Sequence, residues 1–148
     1  MKLVAPIAVL AAVCAACASA APKHAAIRAG GDWTRFGYTA ARTNAGPRST
    51  GITAANVGRL RRQRIELGGT ADSSPIYLRG VRVEGRARDV FVVTTSYGRT
   101  VAVDADSGDV LWRFTPQGYS SWAGSYRITH SSPIADPSRR FVYSEAPA

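Results

Sequence analysis

Three carboxylates stand close together in Asp104-x-Asp106-x-x-Asp109. Acidic residues so spaced can open a calcium loop. An EF-hand loop also needs Gly at its sixth position and Glu at its twelfth. Those positions here hold Asp109 and Thr115, so the metal reading fails. A turn reading fits instead, because Asp and Ser side chains bond their own following amides. The histidines are His24 and His130. An imidazole can carry a proton near neutral pH, but neither has a carboxylate or a second His nearby in sequence. His130 therefore reads as a loop residue beside Ser131. G-x-S-x-G, P-loop and paired metal-ligand motifs are absent. Cys14-x-x-Cys17 has redox or metal spacing. No second ligand pair accompanies it, and both cysteines read as small members of an apolar run.

Two further stretches invite a functional reading. Tyr119-Ser120-Ser121-Trp122-Ala123-Gly124-Ser125-Tyr126 gathers aromatics and hydroxyls. It either lines a ligand-facing surface or packs as a connection, and aromatic anchors favour packing. Arg59, Arg61, Arg62 and Arg64 form the densest positive cluster. Without interleaved aromatics, a solvated connection fits better than a phosphate or anionic-lipid contact.

These residues must be carried by the elements around them, and the N-terminus sets their compartment. Met1–Ala20 has Lys2 as a short positive start, an uncharged run from Leu3 to Cys17, and Ala18-Ser19-Ala20 at its end. That is the pattern of a secretory signal peptide cleaved after Ala20. The alternatives are a membrane anchor and a lipoprotein. Weakly apolar Ala and the internal Pro6 disfavour the anchor. The poor residues three places before Cys17 and Cys14 disfavour lipidation. The full chain has 148 residues, with 19 basic and 10 acidic, or +9. Cleavage leaves 128 residues (148 minus 20), no cysteine, and +8 (18 minus 10). Core packing, not disulfides, must then hold the fold. Export to the periplasm, envelope or medium also argues against a nucleic-acid partner.

From Ser73 onward the hydrophobic period is two. Pro75–Leu78 is a short apolar run broken by Gly80, and Val81-Arg82-Val83 alternates. Glu84–Arg88 reads as a polar turn. Asp89–Thr95 is rich in β-branched residues and reads as a buried strand. Tyr97-Gly98-Arg99 is a turn, Thr100–Asp104 a returning strand, Asp106-Ser107-Gly108 a turn, and Asp109–Phe114 a further strand before Pro116. Such spacing predicts an all-β antiparallel meander. Upstream, Thr53 is placed to cap one helical turn over Ala54–Val57, ended by Gly58.

The chain also repeats. Ser73-Ser74-Pro75-Ile76 returns as Ser131-Ser132-Pro133-Ile134, and Phe91-Val92-Val93 as Phe141-Val142-Tyr143. The offsets are 58 and 50 positions (131 minus 73; 141 minus 91), so the first unit carries an insertion at Arg79–Arg88. Between them lies Ala102-Val103-Asp104-Ala105-Asp106-Ser107-Gly108-Asp109-Val110-Leu111-Trp112. This resembles the blade motif of pyrroloquinoline-quinone (PQQ) repeat β-propellers, with Ala102, Asp104, Ser107, Gly108 and Trp112 at its fixed positions. Asp32–Tyr38 and Ile52–Leu60 resemble the lead-in of PQQ-dependent dehydrogenases.

The resemblance implies incomplete antiparallel blades of a quinoprotein-like propeller. The divisions are signal peptide 1–20, flexible lead-in 21–31, N-terminal extension 32–72, first blade and interblade loop 73–130, and the start of a second blade 131–148. From Ser73, 76 residues remain (148 minus 72). A closed ring takes about four to eight blades, each of roughly 40–50 residues. By family analogy Trp112 docks between blades, and the motif is structural, not catalytic. The chain alone is expected to be a non-catalytic scaffold or interaction module without a cofactor. It could self-associate through an unpaired sheet edge or bind a protein or envelope surface. Alternatively it is the N-terminal portion of a PQQ-dependent alcohol or sugar dehydrogenase, which would use PQQ and a calcium-type metal. A third reading is a basic surface-binding protein.

Overall fold

The computed structural model describes residues 31–46 and 50–147. The signal segment, Cys14, Cys17 and His24 lie outside the described residues. Four strands form one antiparallel sheet in chain order: β1 (Ile76–Val83), β2 (Arg86–Thr94), β3 (Thr100–Asp104) and β4 (Val110–Phe114). A short helix, α1 (Tyr119–Trp122), follows. A small second sheet pairs β5 (Ile134–Ala135) with β6 (Val142–Tyr143). The all-β, antiparallel expectation holds at this level. Both sheets are open.

The β-branched run of β2 places it at the centre of the sheet. It pairs with β1 on one side and β3 on the other. Directly opposed residues share a face. The register therefore sets Ile76, Val92, Ala102 and Trp112 in one row across all four strands. The first three of these are at most 1% exposed. Their cluster also takes in Leu78, Val90 and Ala135, with Val142 packed against it. The second sheet thus covers one face of the first. Val93, Val101 and Val103 alternate to the opposite face and are buried as well.

The polar stretch Glu84–Arg88 is mostly strand, not turn. Glu84 (φ 49°) and Gly85 (φ 79°) alone make the reversal, both left-handed. Such a two-residue turn matches the natural twist of a hairpin. Val83 then pairs with Arg86 at once. The charged alternation of Arg86 and Arg88 was compatible with a strand, yet its polarity resembled a loop. β1 itself shifts register between Leu78 and Val81. Gly80 sits at this irregularity with φ 59°, and its amide donates to Asp89 Oδ1 at 2.9 Å.

Upstream segments are fastened to this sheet. Trp33 and Tyr77 exchange backbone bonds of 2.7 and 2.9 Å. Asp32 accepts from the Arg79 amide at 2.7 Å and from Arg139 Nη1 at 3.3 Å. A 3-10 turn occupies Val57–Arg59. The expected hydroxyl cap is replaced: the Thr53 carbonyl accepts from the Asn56 and Val57 amides. Asn56 Oδ1 accepts in return from the Thr53 amide at 2.7 Å. Asn56 organises the turn because its amide accepts at one atom and donates from another, so its Nδ2 also reaches the Gly51 carbonyl. Gly58 lies inside the turn rather than ending it.

Trp112 is 38% exposed, so only part of its ring is removed from water. Truncating a fully buried aromatic costs about 3–5 kcal/mol. Trp112→Ala is expected to cost about 2 kcal/mol, scaled to that burial. Urea denaturation of both proteins should show a lower midpoint at unchanged slope. An unchanged midpoint would remove Trp112 from the packing between the sheets.

Candidate functional site

Asp104, Ser107 and Gly108 meet in one turn between β3 and β4. Asp104 Oδ1 accepts from the amides of Asp106 (2.9 Å) and Ser107 (3.1 Å). Its backbone carbonyl accepts from the Gly108 amide at 2.9 Å. Gly108 has φ 80°, where an L side chain is strained. A Cβ there would also stand 2.1 Å from Gln63 Nε2. That amide donates to the Ser107 carbonyl at 2.6 Å, tying the extension to the turn. Ser107 Oγ donates to Asp109 Oδ2 at 2.7 Å. The aspartates of this run thus build the turn. Ala102 and Trp112 are cross-strand partners on the buried face, away from the turn amides.

Two residues that sequence reasoning missed complete this wiring. Arg88 Nη1 donates to Asp104 Oδ2 at 2.5 Å, a charge-assisted bond with little solvent around either group. Asp89 is buried, and its Oδ2 accepts from the Tyr77 hydroxyl at 2.5 Å. The signal available was positional: Arg88 and Asp89 open an apolar strand, where charges need partners. Burial raises the Asp104 carboxyl's pKa. The Ser107 amide, Arg88 and the Asp106 amide more than reverse this, and it ends below its ordinary value.

Two cavities lie elsewhere, between the N-terminal segment and the two repeat segments. One, of about 390 Å³, is lined by Phe36, Arg42, Asp72, Ser74, His130 and Ser132, among others. A neighbouring one of about 300 Å³ shares Phe36, Arg42 and Ser132 and adds Arg35. Arg42 lies over the Phe36 ring, 5.8 Å from its centroid. The paired repeats touch here: the Ser74 amide donates to Ser132 Oγ at 2.9 Å. Ser131 Oγ donates to Glu145 Oε2. Asp72 Oδ2 accepts from Ser96 Oγ at 2.6 Å. The groove offers hydroxyls and guanidinium groups to an anion. His130 is exposed at its rim. The structure brings His130 and Asp72 to one groove, a juxtaposition invisible across 58 positions (130 minus 72).

The aromatic loop packs locally. Tyr119 stands edge-on to Tyr97, with Arg99 4.3 Å above its ring. Trp122 lies against Gly118. Tyr126 projects into solvent at 89% exposure. The arginine cluster is solvent-exposed. Arg61 bonds the carbonyls of Arg59 and Leu60, and Arg64 pairs with Glu66. Among the described residues no group of three His, Cys, Asp or Glu side chains could hold a metal ion. Nor is any helix there long and apolar enough to cross a membrane. Comparisons with known protein families, curated proteins and solved structures find no match.

The lowered Asp104 pKa has a stability consequence. A carboxylate depressed on folding contributes stability above its unfolded value of about 3.8 and loses it as pH falls through the folded value. Asp136, held low mainly by the Ser138 hydroxyl and the Phe141 amide, adds to the same acid limb. Thermal melts from pH 6 down to pH 2 should therefore fall steeply below about pH 4. Asp104→Asn should be less stable at pH 6 and should show a shallower limb. An equally steep limb in the variant would assign the acid sensitivity to other groups.

Proposed function

We infer that this chain is a non-catalytic, PQQ-type repeat module, exported by its N-terminal signal and used as a scaffold or interaction unit. The observation that carries the reading is the meeting of the two Ser-Ser-Pro-Ile segments. The amide of the first bonds the hydroxyl of the second. The strands that follow them pack face to face through Ile76, Val92, Ala102, Ala135 and Val142. Sequence repeats that stack on one another are how a repeat protein builds a continuous core. In this reading the β1–β4 meander is one blade, and β5–β6 begins the next.

The repeat is imperfect in a specific way. Ile76 pairs with Val92, but Ile134 pairs with Tyr143 rather than with Val142, the counterpart of Val92. Val142 nonetheless keeps the inward position of Val92 against the shared cluster. The tight loop at Asp136 explains the slip. Asp136 and Phe141 bond through their backbones at 3.1 Å, and the Phe141 amide also donates to Asp136 Oδ1. No comparable loop closes the β1–β2 hairpin.

The motif supports scaffold chemistry as well. Asp104 spends its oxygens on turn amides and Arg88. Asp89 spends its own on Gly80 and Tyr77. Carboxylates so committed hold backbone and are not available as bases.

The groove with Arg35 and Arg42 favours the second reading, the start of a PQQ-dependent dehydrogenase. PQQ carries carboxylates, and these guanidinium groups suit them. The metal fits less well, since the described residues offer no acidic cluster for it. The test adds PQQ with calcium to the purified chain and follows dye-linked oxidation of alcohols and sugars. No turnover is expected. Measurable turnover would replace the scaffold reading with the enzyme one.

A further inference from the structure

The segment from Trp33 to Ile65 carries seven arginines and no acid. Four of them, Arg59, Arg61, Arg62 and Arg64, stand exposed near its end. The structure adds what the sequence pattern did not show. Ile52, Val57 and Leu60 are exposed as well, at 53%, 51% and 59%. Aliphatic side chains, in place of aromatics, thus stand among the charges.

Local bonds place these three side chains together. The Leu60 amide donates to the Val57 carbonyl across the 3-10 turn. Residues three apart eclipse in such a turn, so Val57 and Leu60 project on one side. Asn56 anchors the chain before it: Oδ1 accepts from the Thr53 amide and Nδ2 donates to the Gly51 carbonyl. Ile52, between those two anchored residues, is kept beside the turn. The far end is fixed by Gln63, whose Nε2 donates to the Ser107 carbonyl at 2.6 Å. From Gly51 to Arg64 every residue but Asn56 is exposed. The loop is therefore held out from the sheet.

Its charges stay available. Arg59 and Arg62 take part in none of the described ion pairs. The Arg64–Glu66 pair is open to water, with side chains 86% and 81% exposed, and such a pair holds its partners only weakly. Arg61 uses Nη1 on the carbonyls of Arg59 and Leu60 and keeps its charge.

We propose that this loop seats on the surface of an anionic phospholipid bilayer. Ile52, Val57 and Leu60 enter the headgroup layer, and the arginines lie among the lipid phosphates. Apolar side chains exposed beside basic ones suit that interface. A soluble polyanion would use the arginines and leave the aliphatics in water, so the pairing favours lipid. Each arginine near an anionic surface raises affinity about fivefold. The proposal goes beyond the repeat-module reading and does not depend on it. The surface is separate from the groove at Arg42 and from a cleft of about 280 Å³ beside Trp112.

The probe is a vesicle of phosphatidylglycerol and phosphatidylcholine in equal parts, added to the full chain, with pure phosphatidylcholine as the control. Limited trypsin cleavage after Arg59, Arg61, Arg62 and Arg64, read by mass spectrometry, reports on this loop alone. Cleavage after the exposed Arg127 is the reference. Anionic vesicles should slow loop cleavage about tenfold, within the reach of two free arginines, and neutral ones should not. About 0.5 M NaCl, which shortens the screening length to roughly 4 Å, should remove most of the protection. Val57→Ser/Leu60→Ser keeps every cleavage site and should also lose most of it. Both side chains are more than half exposed, and a thermal melt checks that the variant folds. The wild-type contrast between the two vesicles stands without the variant. Equal protection by both vesicles, none by the anionic ones, or protection indifferent to salt would each overturn the proposal. Protection unchanged in the variant would assign the surface to polyanions and overturn the lipid reading.

Discussion

Everything in this fold depends on one face of the four-stranded sheet being covered by only two short strands. Ala102 has no side chain beyond its methyl, and Ala135 arrives on the facing sheet with the same small volume. Two such residues let the sheets approach closely, so Ile76, Val92 and Val142 can close around them. A larger residue at either position would push the sheets apart and uncover Leu78 and Val90. The burial gained is modest because β5 and β6 each contribute two residues. That leaves Trp112 and Phe141 partly in water and the cleft between the sheets open.

A core this thin needs help from polar bonds, and the chain supplies it at three carboxylates. Asp104 closes the β3–β4 turn and anchors Arg88 on β2. Asp89 satisfies the bulge at Gly80 and the Tyr77 hydroxyl. Asp32 joins the N-terminal segment to β1 and to the loop before β6. Buried charges are costly unless their lone pairs are filled. Here each oxygen of Asp89 and Asp104 has at least one donor. The carboxylates therefore fix geometry more than they add raw stability. The tail joins the same scheme: Ser144 meets Thr100 at 2.7 Å, and Ala146 abuts Gly98.

The strands were legible because their side chains alternate or run β-branched, and their turns carry Gly. Thr100–Asp104 appears in the structure with the bounds the pattern implies. The turn role of Asp104, Ser107 and Gly108 was legible for the same local reason. What local pattern cannot show is partnership across distance. Arg88 and Asp104 are 16 positions apart, and Ser74 and Ser132 are 58 apart. The Glu84-Gly85 reversal was legible only as a longer turn reaching Arg88, since charge at an exposed strand end resembles a loop. Asn56 was hidden because the turn starts three residues later than a Thr53 cap would place it. The groove at Arg42 and the cleft at Trp112 exist only once separate segments are brought together.

The basic excess takes on a different meaning in this light. Net charge of +9 on a compact chain usually suggests an anionic partner surface. Several arginines are used inside the fold. Arg82, Arg99, Arg113 and Arg139 donate to the carbonyls of Gly85, Gly68, Glu66 and Arg79. A guanidinium carries five donors in a planar fork and cannot lose its charge. It can bond a loop carbonyl while its stem covers apolar surface. Lysine, with a compact and strongly hydrated head, does this less well. Arginine thus suits loops and edges that lack regular backbone partners. For these four arginines the positive charge comes with the fastening of a carbonyl.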